Sequence, residues 1–391
     1  MQLDFHYYAT YCAAFLAGFD HDESVRIAYS AQFVDCCSRT YLTKIGGPSS
    51  AATTQLQLEL MEADTTPVGL QDITRIWSSF HFLPGDLYAT RKHCSKRYLK
   101  KYRLICNTNG SLLVDTVELV RGKGLEATGL AMHILADTWA HRYFAGTPSL
   151  VINNTDHNFV EIIPDGEGFK ERPVKFNHNP ASPDDPEKGI YTNSLYQNNE
   201  NTIMNLGHGR AGHFPDYSFA RYRYLPAWGD YEEILKDNPS DYMHAFKQMI
   251  YAMKCLRSED KFEVETYAEE EVKPWISDLE EIILKRQIDA CADWKAFAQK
   301  LSGEEVPDFD IDQFADEYKG AGKDEKDDTT LGRFILAALA QKSMVTNRIF
   351  ASKNLLAGYS IDFNEKGFKG IRDYKRLVSN GGKEDETDDK N

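Results

Sequence analysis

With 391 residues, 42% of them hydrophobic and 12% aromatic, the chain can bury a large globular core, as one big helical domain or two smaller ones. Its 45 Lys and Arg face 60 Asp and Glu, and the formal charge of −15 argues against a basic nucleic-acid groove and strong attraction to anionic lipid; phosphate stays within reach where metal ions supply positive charge. Seven scattered cysteines without CxxC spacing, no secretory leader pattern and no run near about 18 apolar residues predict a cytoplasmic protein with reduced thiols, whose export would be leaderless.

The chain opens MQLDFHYY, with Asp4 and His6 ahead of a helical run from Tyr7 to Leu16 that Gly18 stops. Asp20 or Asp22 caps a second helix through about Asp35, on which Ala28, Gln32 and Asp35 share a face. A carboxylate at the C-terminal end of a helix opposes the macrodipole, so Asp35 is either held by a partner or simply solvated. Cys36 and Cys37 read as small buried hydrophobes. Residues 45–70 read as a loop and short helix punctuated by GGPSS. In WSSFHFLPG, Trp77 to Gly85, His81 sits between two phenylalanines as a core residue or a rigidly held ligand, and Pro84 and Gly85 end the element. Arg91 to Arg103 form a cationic patch, a solvated face or a place for a phosphate head group. Leu104 to Val120 alternates loosely around NTNG, Asn107 to Gly110, a hairpin-turn signal that predicts short strands.

Gly129 to Gly146, GLAMHILADTWAHRYFAG, places His133, Asp137 and His141 four residues apart on one predicted helix. At about 100° per residue, steps of four drift by only about 40°, so the three share a stripe. The other faces are apolar or small, which predicts burial, and buried imidazoles and a carboxylate need partners. A lone HxxxD is better read as a hydrogen-bonded pair, but the third residue and the His and Asp elsewhere reverse that in favour of metal ligation. A rise of about 1.5 Å per residue separates His133 from His141 by roughly 12 Å along the axis, so they would serve different ions, with Asp137 bridging.

Residues 147–200, rich in Asn, Pro, Gly and Asp, read as a small ribbon or long excursion carrying TDHNFVEIIP and RPVKFNHNP, with His157 and His178 at the surface. NLGHGRAGHFPDY then supplies His208, His213 and Asp216 among glycines that let backbone pass close to ions. Asp230 to Ser302 and Thr329 to Tyr359 read as amphipathic helix, 304–328 as an acidic flexible connection, and GGKEDETDDKN as a disordered tail.

The order His6, Asp35, His81, His133 with Asp137, His141, then His208 with His213 or Asp216 resembles the zinc-dependent phospholipase C and single-strand nuclease superfamily. DFHYY, FHFLPG and GHGRAGHFPD resemble a bacterial branch of it carried as a domain of unknown function. The resemblance covers roughly residues 1–225. It implies a mainly α-helical multi-helix bundle of the zinc-dependent phospholipase C type. Residues 1–230 would form the metal-binding catalytic domain with the insertion 147–200, residues 231–379 a helical extension, and 380–391 the tail. It also implies two or three zinc ions that clamp phosphate oxygens and activate a water, which histidine and carboxylate ligands suit better than calcium or magnesium. Asp35 stands where the family keeps its general base. Relatives with a mature N-terminal tryptophan use its amine and carbonyl as ligands; here Asp4 takes that place or one ion is missing. The second His follows HxxxD by four residues instead of six, and the choice among His208, His213 and Asp216 stays open. Tyr7, Tyr8, Trp77, Phe80, Phe82 and Trp139 either line an entry suited to a choline-type cation or belong to the core. The expected activity is phospholipase C hydrolysis of a zwitterionic phospholipid such as phosphatidylcholine, with transient membrane contact and no stable nucleic-acid binding. The alternatives are a single-strand nuclease or nucleotidase and a non-catalytic, metal-stabilised interaction protein.

Overall fold

The computed structural model describes residues 1–56, 59, 67–147, 149–155, 157–177, 182–193, 206–229, 232–258 and 260–354. A π-helical turn, Asp4–Ala9, runs into α1 (Thr10–Leu16), followed by α2 (His21–Cys36), α3 (Arg39–Ile45), α4 (Pro67–Phe80), α5 (Lys96–Tyr102), α6 (Ser111–Leu119), α7 (Leu125–Ala140) and the short α8 (Leu150–Asn153). Strands β1 (His157–Asp165), β2 (Gly168–Pro173), β3 (Lys175–Asn177) and β4 (Ile190–Thr192) lead to α9 (Gly207–Ala211) and to β5 (Arg221–Leu225) and β6 (Ile234–Asp237). The rest is helical: α10 (Asn238–Arg257), α11 (Glu269–Val272), α12 (Ile276–Leu284), α13 (Cys291–Ser302), α14 (Ala315–Gly320) and α15 (Thr330–Ala351). The architecture is mainly α with a small antiparallel sheet in the order β2-β1-β5-β6, beside a two-stranded parallel pair, β3-β4.

Helix α7 is the axis of the bundle, buried at every position from Glu126 to Ala140 and packed by α2, α10 and α15. The α2–α7 crossing is unusually close. A Cβ on Gly129 would lie 2.2 Å from the Ile27 carbonyl oxygen, so only glycine lets α2 approach far enough to bring Asp35 towards the α7 stripe. Asp20 starts α2 with a reciprocal capping box: its side chain accepts from the Glu23 N–H, and the Glu23 carboxylate accepts from the Asp20 N–H.

The core is continuous across residue 230, which falls between the paired strands β5 and β6. Phe5 packs edge-on against Tyr242 and Trp294, and Phe33 against Phe334. Tyr7, Tyr8, Phe80, Phe82 and Trp139 are buried, which makes them core and no entry lining; Trp77 alone of the six is partly exposed. All seven cysteines are free, and among the described residues no helix is long and apolar enough to cross a membrane.

Two sequence expectations are corrected. Within Leu104 to Val120, Ile105 and Cys106 form only isolated bridges, to Ala145 and Pro84, and Ser111–Leu119 form helix α6 in place of a hairpin. Leu112, Leu113, Thr116, Val117 and Val120 bury a helical stripe, and Asn109, at φ 58°, turns the chain into it. Residues 304–328 are a packed strap with α14 at its centre. The Tyr7 hydroxyl donates to the Pro307 carbonyl at 3.1 Å, and Tyr29 and Tyr41 both donate to the Ile311 carbonyl, at 2.9 and 2.8 Å. Their acidic side chains face solvent while buried tyrosines hold the backbone. The tail after Ser379 and His178 lie outside the described residues, as does the side chain of His157.

Candidate metal centre

Six elements deliver side chains to one buried point. The opening π-helical turn brings His6, the last turn of α2 brings Asp35, and His81 follows the end of α4. Helix α7 gives His133 and Asp137, with His141 at its C-cap, while α9 gives His208 and the short 3₁₀ turn Phe214–Asp216 gives Asp216. Asp137 is the hub. Its Oδ1 lies 3.1 Å from His6 Nε2 and 3.0 Å from the Met1 amino nitrogen; its Oδ2 lies 3.1 Å from His133 Nε2, 3.2 Å from His81 Nδ1 and 3.4 Å from His141 Nδ1.

Three groups of ligand-type atoms result: His6, His133 and Asp137; Asp35, His81 and His133; and His141, His208 and Asp216. His133 and His141 therefore fall in different groups, with Asp137 between them. His208 Nε2 and His141 Nε2 lie 3.2 and 3.3 Å from Asp216 Oδ1. His213 stays at the rim, more than half exposed, with Nδ1 3.5 Å from Asp216 Oδ2, a contact that raises its pKa. Asp35 is 31% exposed; its Oδ1 lies 3.8 and 3.9 Å from His81 and His133, and its Oδ2 4.0 Å from His6. Asp4 is outside the cluster. Its carboxylate accepts from the N–H groups of Phe5 at 2.7 Å and Ala290 at 3.3 Å, and the place offered to it holds the Met1 nitrogen, 3.1 Å from Asp216 Oδ1 and 3.2 Å from His141 Nε2.

The outward nitrogens define what faces inward. His81 Nε2–H donates to the Thr53 carbonyl at 3.0 Å, and His141 Nδ1–H donates to the His81 carbonyl at 2.8 Å. Each bond fixes a tautomer whose other nitrogen turns a lone pair to the cluster. Both nitrogens of His6 and Nδ1 of His133 are buried without a hydrogen bond; His6 Nε2 is close enough to Asp137 for one but wrongly directed. Buried polar atoms left this way are costly. Lone pairs and carboxylate oxygens converge here beside the Met1 nitrogen, and a dication would satisfy them, so the residues fit a metal. The carbonyls of Thr53 and His81 and the Met1 nitrogen were not found from sequence, because backbone groups carry no residue-type signal.

Electrostatics agree. Burial pushes His6 and His141 down to about 4, so both rings are neutral. Burial opposes ionisation of Asp137 and Asp216, yet His141, the Met1 ammonium and His133 hold Asp137 well below the carboxylate range, and Met1 and His208 do so for Asp216. Against the cost of burial, Asp137 and Asp216 raise the Met1 ammonium to about 11.

A pH dependence follows. Unfolded histidines titrate near 6.5, so between about pH 6.5 and 4 the unfolded chain binds more protons than the folded one, and stability falls as pH falls. The two carboxylates act in the same direction below their ordinary pKa. Chelator-treated protein is expected to lose on the order of 3 kcal/mol per histidine between pH 7 and 4 in denaturant titrations. A flat profile would mean that these rings take up protons in the fold as they do in the unfolded chain.

No curated protein and no solved structure matches the chain. A family model spans residues 1–349, which include every member of the cluster and nearly all of α15, and the chain therefore belongs to the family of unknown function DUF6765.

Proposed function

We propose that the chain is a metal-dependent phosphodiesterase of the zinc phospholipase C and nuclease type, acting as a phospholipase C on zwitterionic head groups. The observation that carries this reading is the convergence of three histidine–carboxylate groups on Asp137, with the partly exposed Asp35 at their edge. Two or three zinc ions held there would polarise a phosphodiester and activate a water for in-line attack. The chain's own part is to hold and orient. Asp137 joins the groups, Asp216 with His141 and His208 forms the second half of the centre, and the Thr53 and His81 carbonyls fix ring tautomers. Asp35 is the carboxylate most open to solvent, so it is placed to take a proton from the attacking water; Gln32 Nε2 donates to its Oδ2 at 3.4 Å. The acidic balance of the chain disfavours a polyanionic strand and tolerates a zwitterion.

Zinc-loaded protein assayed side by side on phosphatidylcholine vesicles and single-stranded DNA is expected to release phosphocholine from the first, with the activity abolished by chelator. Protein carrying two or more zinc ions that cleaves neither substrate would leave a metal-stabilised interaction protein. Cleavage of DNA alone would move the substrate to nucleic acid.

A further inference from the structure

Helix α15 lies far along the chain from every ligand, yet two consecutive residues on it, Gln341 and Lys342, are buried polar side chains aimed at the backbone around His81. Lys342 Nζ donates to the Ser50 carbonyl at 2.7 Å and the Ala52 carbonyl at 2.5 Å. The next residue, Thr53, is the one whose carbonyl accepts from His81 Nε2, and Thr53 is itself tied to α2 through its N–H to Cys37 and its hydroxyl to Val34. Lys342 Nζ also lies 5.6 Å from the Phe80 ring centre, one residue before His81. Gln341 Nε2 donates to the Ser79 carbonyl at 3.2 Å and to the Thr116 hydroxyl at 2.9 Å. The adjacent pair thus grips the chain leading into His81 and the segment that receives its outward N–H.

Nothing else accounts for Lys342. Among the described residues its ammonium has no carboxylate ion-pair partner, and burying an ammonium that way is costly. A buried Met would fill the same space; the amine is needed only where carbonyls must be held in place. We infer that Lys342, with Gln341, is a positioning residue of the metal centre, setting the tautomer and ring orientation of His81 through the Ser50–Thr53 segment. The inference rests on the proposed metal centre and not on the substrate assigned to it. It makes α15 part of the site, with its action passing through backbone carbonyls and never through contact with the ion.

Cobalt(II) binding tests it, read by visible absorption and by competition with a chelator. Lys342→Met and Gln341→Leu are compared with wild type, with His81→Ala as the reference for loss of that ligand, and with Val345→Ala, a buried apolar site on the same helix. Lys342→Met is expected to weaken cobalt binding about 10- to 100-fold and to shift the absorption bands towards those of His81→Ala. Val345→Ala should lower the melting temperature and leave spectrum and affinity at wild-type values. If Lys342→Met does not fold, Gln341→Leu reads the same linkage from the Ser79 side. Wild-type spectrum and affinity in the folded Lys342 and Gln341 variants would overturn the inference alone. A wild-type chain that takes up no cobalt would overturn the metal centre and this inference together.

Discussion

Asp137→Ala is expected to empty the centre and to destabilise the fold in one step. Four imidazoles and the Met1 ammonium lie within 3.4 Å of its two carboxylate oxygens, so no other side chain touches so many members of the cluster. Its removal leaves the buried ammonium facing Asp216 alone and the inward lone pairs of His81 and His133 facing one another. Breaking a buried charge pair from one side costs about 3 to 5 kcal/mol, and metal binding lost from the folded state adds to that. Elemental analysis and thermal unfolding of the variant should show both losses, with activity at background. Wild-type melting and full metal content would mean that the α7 stripe is ordinary core. Asp216→Ala should be milder, since it leaves the Asp137 contacts intact.

Asp35→Asn is expected to behave in the opposite way. The amide keeps the shape of the carboxylate and its bond with Gln32, and at 31% exposure the side chain stays in reach of water. What disappears is the ability to accept a proton, so the loss should fall on turnover, by about 10² to 10⁴, with metal content and melting temperature close to wild type. Metal loss in step with activity would make Asp35 a ligand, which its place beside His81 and His133 also permits. Full activity on the cleaved substrate would remove it from the mechanism.

The stripe His133, Asp137 and His141 was legible because helix periodicity converts spacing into direction, and because an apolar surround leaves polar residues needing partners. Asp35 announced itself by standing at the wrong end of a helix dipole, and the structure supplies its histidine neighbours. Asp4 and the Met1 nitrogen could not be told apart in this way: both lie at the start of the chain, and only the π-helical turn decides which one points inward. NTNG misled for a related reason. Asn at positive φ serves a hairpin and a helix entry alike, and the deciding information is the buried period of residues 112–120. The strap at 304–328 was read from its acidic side chains, whereas what fixes it is tyrosine hydroxyls from the opening π-helical turn, α2 and α3 on its carbonyls.

That strap has a kinetic consequence. Tyr7 meets Pro307 and Tyr29 meets Ile311, separations of about 300 residues in a chain of 391, while Phe5 packs on Tyr242 and Trp294. Such high contact order delays closure, because the loop entropy is lost before the contacts that compensate it are made. During synthesis α2 can meet α7 early, but Tyr7, Tyr29 and Tyr41 find the carbonyls that receive their hydroxyls only once the strap has left the ribosome. The turn that carries His6 is therefore locked late, when Tyr242, Trp294 and Pro307 have been made.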